Sequence, residues 1–223
     1  MMRRAALLAI VCLATGFTGP FAQPLQAEPN LIVNGGFETP VVSGLDDAFG
    51  AGSLDITGWL VAAGGVDVCS SGSSVLGDAH SGLQMLDING FVAGTVEQTF
   101  ATSPGVEYEL SLFYSNNPNP SFSLPSYSGV VIVQGVAELV NAPVTHSGAT
   151  QADMNWLPLT TTFVADSAVT TLRLQSQNGG LNGIYFDTVS VTGPTVVPEP
   201  SSIALAGFAG LAGLAFWWRR RRA

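Results

Sequence analysis

The chain contains no lysine, and six of its seven arginines lie within its first four and last five residues. Between those ends Arg173 is the single arginine, against sixteen acids spread from Glu28 to Glu199. So acidic a surface repels phosphate backbones and anionic lipid, which excludes nucleic acid as a partner. It also leaves many carboxylates without a basic partner, which favours a bound divalent cation. Cysteine is nearly absent too. Cys12 falls in the N-terminal leader described below, so Cys69 is alone in the mature chain and no internal disulfide forms. Its thiol is buried, free or linked to another chain, and the alternating Val66-Asp67-Val68-Cys69 favours burial in a strand.

Motifs of catalysis are missing as well. There is no Gly-x-Ser-x-Gly elbow, no His-Glu-x-x-His helix, no phosphate-binding glycine loop and no cysteine metal cluster. Asp78-Ala79-His80-Ser81 brings an acid, an imidazole and a hydroxyl together along the chain, but closeness in sequence does not aim them at one atom. Asp87-Ile88-Asn89-Gly90 begins like a calcium-binding hand and fails at Phe91 and Val92, so it reads as a turn after a strand. The chain is not expected to be an enzyme.

What is present is most specific at the two ends. Arg3 and Arg4 precede an uncharged apolar run of 13 residues, Ala5 to Phe17, followed by Gly19 and Pro20. That is the order of a secretory signal peptide, too short to span a hydrocarbon core of about 30 Å. Residues 1–27 are read as the leader, cleaved after Ala22 or Ala27. At the other end Pro198-Glu199-Pro200 precedes 18 uncharged residues, 201–218, and then Arg219, Arg220, Arg221 and Arg222. At 1.5 Å per residue such a helix spans roughly 27 Å, enough to cross a membrane, with Trp217-Trp218 at the interface and the arginines held on the cytoplasmic side.

Those last residues resemble the PEP-CTERM sorting signal of bacteria that make exopolysaccharide. The resemblance implies an exosortase-type transpeptidase as partner, with Pro198, Glu199 and Pro200 as the recognised motif and the arginines as a cytoplasmic stop. It implies membrane attachment before processing and the cell surface or extracellular matrix afterwards. An ordinary single-span anchor is the alternative.

Residues 28–193 between the ends are enough for one domain. They hold short apolar alternations at 56–61, 83–88, 95–100, 108–114, 130–133, 159–164, 170–174 and 184–191, separated by turn formers such as Ser103-Pro104-Gly105. About eight strands at that spacing predict an all-β, two-sheet jelly-roll sandwich. The proline-bearing stretch from Ser115 to Ser128 reads as an exposed loop.

Asn34-Gly35-Gly36-Phe37-Glu38, Ile56-Thr57-Gly58-Trp59, Leu86-Asp87-Ile88-Asn89-Gly90, Gly94 to Phe100 and the closing Phe186-Asp187-Thr188-Val189 resemble, in that order, the choice-of-anchor C family. That family is similar to galactose-binding-like jelly rolls and to a plant cell-wall domain family. The likeness implies a structural calcium held by Glu38 and Asp187 where the first and last strands meet. Thr188 stands where a second acid is commoner, and the alternative is a pair of solvated or amide-capped carboxylates. For a carbohydrate contact, Phe122 and Tyr127 in the long loop are the expected exposed aromatics, while Trp59 and Trp156 read as core. Two functions follow: a non-catalytic surface module that associates with exopolysaccharide or cell-wall carbohydrate, or a structural surface protein that makes protein contacts and binds no sugar.

Overall fold

The structure, a computed structural model, describes residues 29–194 and Trp218, and omits the side chain of Phe122. The expected leader, the Pro198-Glu199-Pro200 motif, the helix over 201–218 apart from Trp218, and Arg219 to Arg222 lie outside the described residues. Among the described residues no helix is long and apolar enough to cross a membrane.

Among the described residues eleven strands form two antiparallel sheets, with one 3-10 turn between β6 and β7. One sheet has the order β1 (Asp46–Gly50), β3 (Gly65–Ser70), β4 (Gln84–Asp87), β11 (Ile184–Thr192), β6 (Glu107–Asn116), β9 (Leu157–Val164). The other runs β2 (Leu60–Ala63), β5 (Thr95–Ala101), β10 (Val169–Ser176), β7 (Tyr127–Gln134), β8 (Glu138–His146). This is the expected sandwich.

The sandwich forms because alternate residues on most strands are apolar and the period of a strand is two. Val66 and Val68, Leu110 and Leu112, Val131 and Val133, Leu172 and Leu174, and Ile184 and Phe186 all enter one core between the sheets. Trp59 plugs its edge, 1 % exposed, with its ring centroid 5.3 Å from Phe37 and its indole N–H donating to the Asn34 carbonyl at 3.2 Å. A side chain of this size removed from water contributes about 2–3 kcal/mol.

Three strands were not among the eight expected. β1, Asp-Asp-Ala-Phe-Gly, is an edge strand without apolar alternation. β8 carries Pro143, which a strand tolerates at the edge of a sheet because the missing N–H need not enter a ladder. β3 is visible in the sequence only as the alternation around Cys69, which is buried as expected at 2 %. The long loop is shorter than expected, since Ser115 and Asn116 complete β6 and Tyr127 opens β7.

Candidate functional site

The outer face of the six-stranded sheet is where the unusual chemistry lies. The parity that buries Val66, Val68 and Leu86 turns Asp67, Cys69, Met85 and Asp87 outward. Register then aligns them: Ala48 faces Asp67, Asp67 faces Asp87, and Asp87 faces Tyr185 across four neighbouring strands. Part of this face is roofed by the chain around Val75, Leu76 and Ala79 and around Met154 and Trp156, forming a second apolar cluster on Cys69, Met85 and Tyr185. What stays open is a cavity of about 180 Å³ whose walls include Asp46, Asp67, Phe91, Asn117, Leu181 and Asn182.

Asparagines fix the loops that make those walls. Asn89 Nδ2 donates to the carbonyls of Asn178 and Gly180 at 3.1 and 3.0 Å, and Asn182 Nδ2 donates to the Asn119 carbonyl at 3.1 Å. Asn119 in turn caps the 3-10 turn Pro120–Phe122 through the Ser121 N–H at 3.0 Å. Three loops, after β4, after β6 and before β11, are thereby stapled into one rim. Phe91 stands on that rim 78 % exposed, with Leu181 beside the same opening.

The two central carboxylates differ. Asp87 is 1 % exposed and satisfied, with Oδ2 accepting from Asn117 Nδ2 and Oδ1 from the Asn89 N–H, both at 2.8 Å. Burial pushes its carboxyl well above the usual range against the opposing pull of those hydrogen bonds. Asp67 has no such support: its Oδ1 is buried with no hydrogen-bond partner. Desolvation first, and then the charge of Asp46, lift the Asp67 carboxyl to about 7. Sequence reasoning missed Asp67 and Asp87 as site residues. Their signal was present as acids placed between apolar residues on adjacent strands, but which sheet face the loops would roof is set by distant packing.

The pair expected to hold calcium is brought together at a second place on the same sheet. Asn34 and Phe37 take left-handed φ of 54° and 57°, and the intervening Gly35 presses so closely on β11 that a Cβ there would overlap the Val189 carbonyl. This turn carries Glu38 to Asp187. A Cβ on Gly36 would lie 3.7 Å from both Asp187 Oδ1 and Glu38 Cγ. Asp187 is 0 % exposed and raised to about 7, chiefly by burial and further by the charge of Glu38, while amide hydrogen bonds pull the other way.

Backbone amides already reach these oxygens. Glu38 Oε1 accepts from the N–H groups of Leu83 and Gln84 at 2.8 and 3.1 Å; Asp187 Oδ2 accepts from Ser81 at 2.8 Å and Oδ1 from Thr188. Among the described residues no group of three or more His, Cys, Asp or Glu side chains is placed to hold a metal. The pair fits a cation in charge, and two carboxylates fall short of the six to eight oxygens calcium takes, so carbonyls would have to complete the set.

Other expectations resolve plainly. Tyr127, expected as an exposed sugar contact, is 2 % exposed: as the first residue of β7 it shares the inward parity of Val131 and Val133, and its hydroxyl accepts from the Leu124 N–H at 3.0 Å. Its ring is core. Phe122 closes the 3-10 turn, and its side chain lies outside the described residues. Asp78, His80 and Ser81 do not converge as a triad. Asp78 Oδ1 accepts from the Gly72 N–H at 3.0 Å, whereas His80 Nδ1 and Ser81 Oγ meet Thr188 Oγ1 at 2.8 and 2.9 Å.

Residues 30–191 match the family described as "Protein of unknown function (DUF642)", and residues 196–222 match the PEP-CTERM protein-sorting motif. No curated protein matches the chain in sequence. Among solved structures, the chain is similar to a family 61 carbohydrate-binding module in complex with β-1,4-galactotriose, at 16% identity and TM-score 0.49, covering 74% of this chain and 99% of that one. It is also similar to a family 16 carbohydrate-binding module, at 18% identity and TM-score 0.44, covering 73% and 99%. A third is a xylan-binding domain of family 22 from Paenibacillus barcinonensis, at 14% identity and TM-score 0.42, covering 67% and 92%.

Proposed function

The chain belongs to the DUF642 family, and from that premise we propose that it is an exported, non-catalytic module that associates with extracellular polysaccharide through the cavity on its six-stranded sheet. The C-terminal match to a protein-sorting motif supports the export half, with an exosortase-type enzyme acting on Pro198-Glu199-Pro200 and delivering the domain to the cell surface or matrix. In this reading residues 1–27 are the leader, 28–193 the working domain, and 194–223 the sorting tail, attached to the membrane until it is processed.

One observation carries the binding half: a cavity with an unsatisfied acceptor, Asp67 Oδ1, on its wall and an exposed aromatic, Phe91, on its rim. Sugars are held in this way, with polar groups reading hydroxyls and a flat ring covering the apolar face of the pyranose. Catalysis is not assigned to the acidic pair. Asp87 is buried and both its oxygens are engaged, so it is not free to work opposite Asp67 across a glycosidic bond.

The test is retention of the full-length chain, in mild detergent, on immobilised polysaccharides, comparing wild type with Phe91→Ala. Phe91 is exposed, so the substitution leaves stability within about 0.5 kcal/mol. Loss of retention in the variant supports the proposal. Equal retention of both, or none by either, removes the cavity from the account and favours a structural protein that makes protein contacts.

Glu38 and Asp187 are the residues that would hold a structural calcium in this reading. Its role would be to neutralise the buried Asp187 and the half-buried Glu38 where the opening segment meets β11.

A further inference from the structure

The walls of the cavity are unbalanced in charge, and the imbalance defines a ligand class. Asn117 spends an Nδ2 hydrogen on Asp87 and its Oδ1 on the Asn119 N–H, at 2.8 and 2.9 Å. Asn182, 4 % exposed, spends its Nδ2 on the Asn119 carbonyl, while its Oδ1 accepts no hydrogen bond among the described residues. Asp67 Oδ1 is buried and unpartnered, and Asp46 lines the same opening. The charged groups at the opening are therefore all acidic, Asp46 and Asp67, and the asparagines beside them add the Asn182 carboxamide oxygen and neutral N–H groups. No basic side chain answers them. The described residues contain no lysine, and their one arginine, Arg173, lies in β10 of the other sheet, where it is bound to Glu97 at 2.9 Å.

A ligand for such walls has to bring N–H donors and positive charge. A hydroxyl brings one donor and no charge; an ammonium brings three donors and the positive charge that Asp46 and Asp67 lack a partner for. A uronate or sulfate sugar would place its anion against Asp46 and Asp67 and be repelled. Resting on the proposed polysaccharide association, we infer that the sugar taken by this cavity is an amino sugar with a free amine, as in a de-N-acetylated hexosamine polymer. Its ammonium meets Asp67, Asp46 and Asn182 Oδ1, and its ring lies toward Phe91. The raised carboxyl of Asp67 fits this assignment, because a cation stabilises the charged form that burial disfavours.

The experiment measures binding of the full-length chain, in mild detergent, to hexosamine oligomers that are free-amine, N-acetylated or replaced by uronates. Free-amine oligomers are expected to bind at least about tenfold more tightly than N-acetylated ones and uronates not at all, with the preference shrinking between about 20 and 200 mM salt. Asp67→Asn removes the preference and keeps the shape of the side chain. Asp46→Asn, at an exposed position, weakens it about threefold without risk to the fold. Equal binding of amine and N-acetyl oligomers, unaffected by Asp67→Asn, overturns the inference and leaves the polysaccharide proposal standing. No binding to any oligomer overturns both. Competition by a lysine-rich peptide as strong as that by the amino sugar overturns the sugar class, since the cavity would then read an amine alone.

Discussion

Asp67 on β3 and Asp87 on β4 stand directly opposite one another on the outer face of the six-stranded sheet, and Asp87 alone of the two is hydrogen-bonded. Facing like charges destabilise a sheet, and here both groups are desolvated as well. Asp67 keeps its proton up to about pH 7 when folded, against about 3.9 in the unfolded chain. Between those values the native state holds the extra proton, so stability is fully present below about pH 4 and is lost as pH rises through 7. Because Asp67 is partly exposed, screening limits the effect to about 1–2 kcal/mol. Urea unfolding across pH 4 to 8 should show Asp67→Asn matching wild type near pH 4 and exceeding it near pH 8. A wild-type profile that rises toward neutral pH with the same slope as the variant contradicts this.

Asn117 is predicted to matter through Asp87. It supplies the donor to a carboxylate oxygen that has no access to water. Asn117→Ala leaves that oxygen unpaired, at a cost of about 1–3 kcal/mol. The same substitution made in an Asp87→Ala background should cost much less, since the acceptor has gone. Chemical denaturation of the four chains measures the difference, and equal costs in both backgrounds would show that Asn117 acts through the loop backbone instead.

Gly35 has no room for a side chain. The nearest neighbour of an added Cβ is the Val189 carbonyl, a backbone group that cannot rotate away, and the Val189 N–H is itself held by the Gly35 carbonyl at 2.9 Å. Gly35→Ala should cost about 3 kcal/mol or more, within the range reserved for backbone clashes in a packed interior. Gly44→Ala is the matched control, with nothing within 4 Å of its added Cβ, and should be nearly neutral. Thermal melts of the two variants separate a local clash from a general intolerance of alanine in loops.

The core was legible in the sequence because burial on both sheets follows a period of two: Leu110 and Leu112, or Leu172 and Leu174, announce their own direction. The same rule was available for Tyr127, which shares the parity of Val131 and Val133, but the prolines before it made the segment look like loop. β1 could not be read, having no apolar alternation, and Pro143 hid β8. Glu38 and Asp187 are reached through an ordered set of short motifs, and the close approach of Gly35 to the Val189 carbonyl explains why that opening pattern needs a glycine there. The cavity was invisible for another reason. Its walls come from segments as distant as Asp46 and Asn182, and hydrogen bonds among asparagines, not periodicity, decide where those segments meet.

Calcium is predicted to stabilise the chain through Glu38 and Asp187. A ligand at about a hundred times its dissociation constant adds about 2.7 kcal/mol. For a domain of this length that raises the melting temperature by roughly 5–10 °C. Wild type should therefore melt higher in calcium than in EDTA, and Glu38→Gln and Asp187→Asn should each abolish the difference. A wild-type melt that is the same in both ends the calcium proposal and leaves the pair as amide-capped carboxylates.

The cavity and Pro194, the residue from which the chain runs on toward the sorting motif, lie at opposite ends of β11. Leu181 and Asn182 line the cavity just before the strand starts, and its nine residues, at about 3.3 Å each, carry the chain nearly 30 Å away to Thr192. At that far end the opening segment returns, with the Leu31 N–H bound to the Val191 carbonyl at 2.8 Å, and Pro29 and Pro194 line one groove. The sorting motif begins two residues later, at 196. If the domain is held through residues beyond Pro194, the cavity lies at the end of β11 away from the attachment, and attachment is predicted not to block binding. Full-length chain captured on beads through a tag after Ala223 should bind soluble glycan with the affinity of the free chain, within about a factor of two. Capture through a biotin placed at Gly179, an exposed position in the loop beside the cavity, should abolish it. The reverse pattern would place the binding surface at the tail end and overturn the assignment of the cavity.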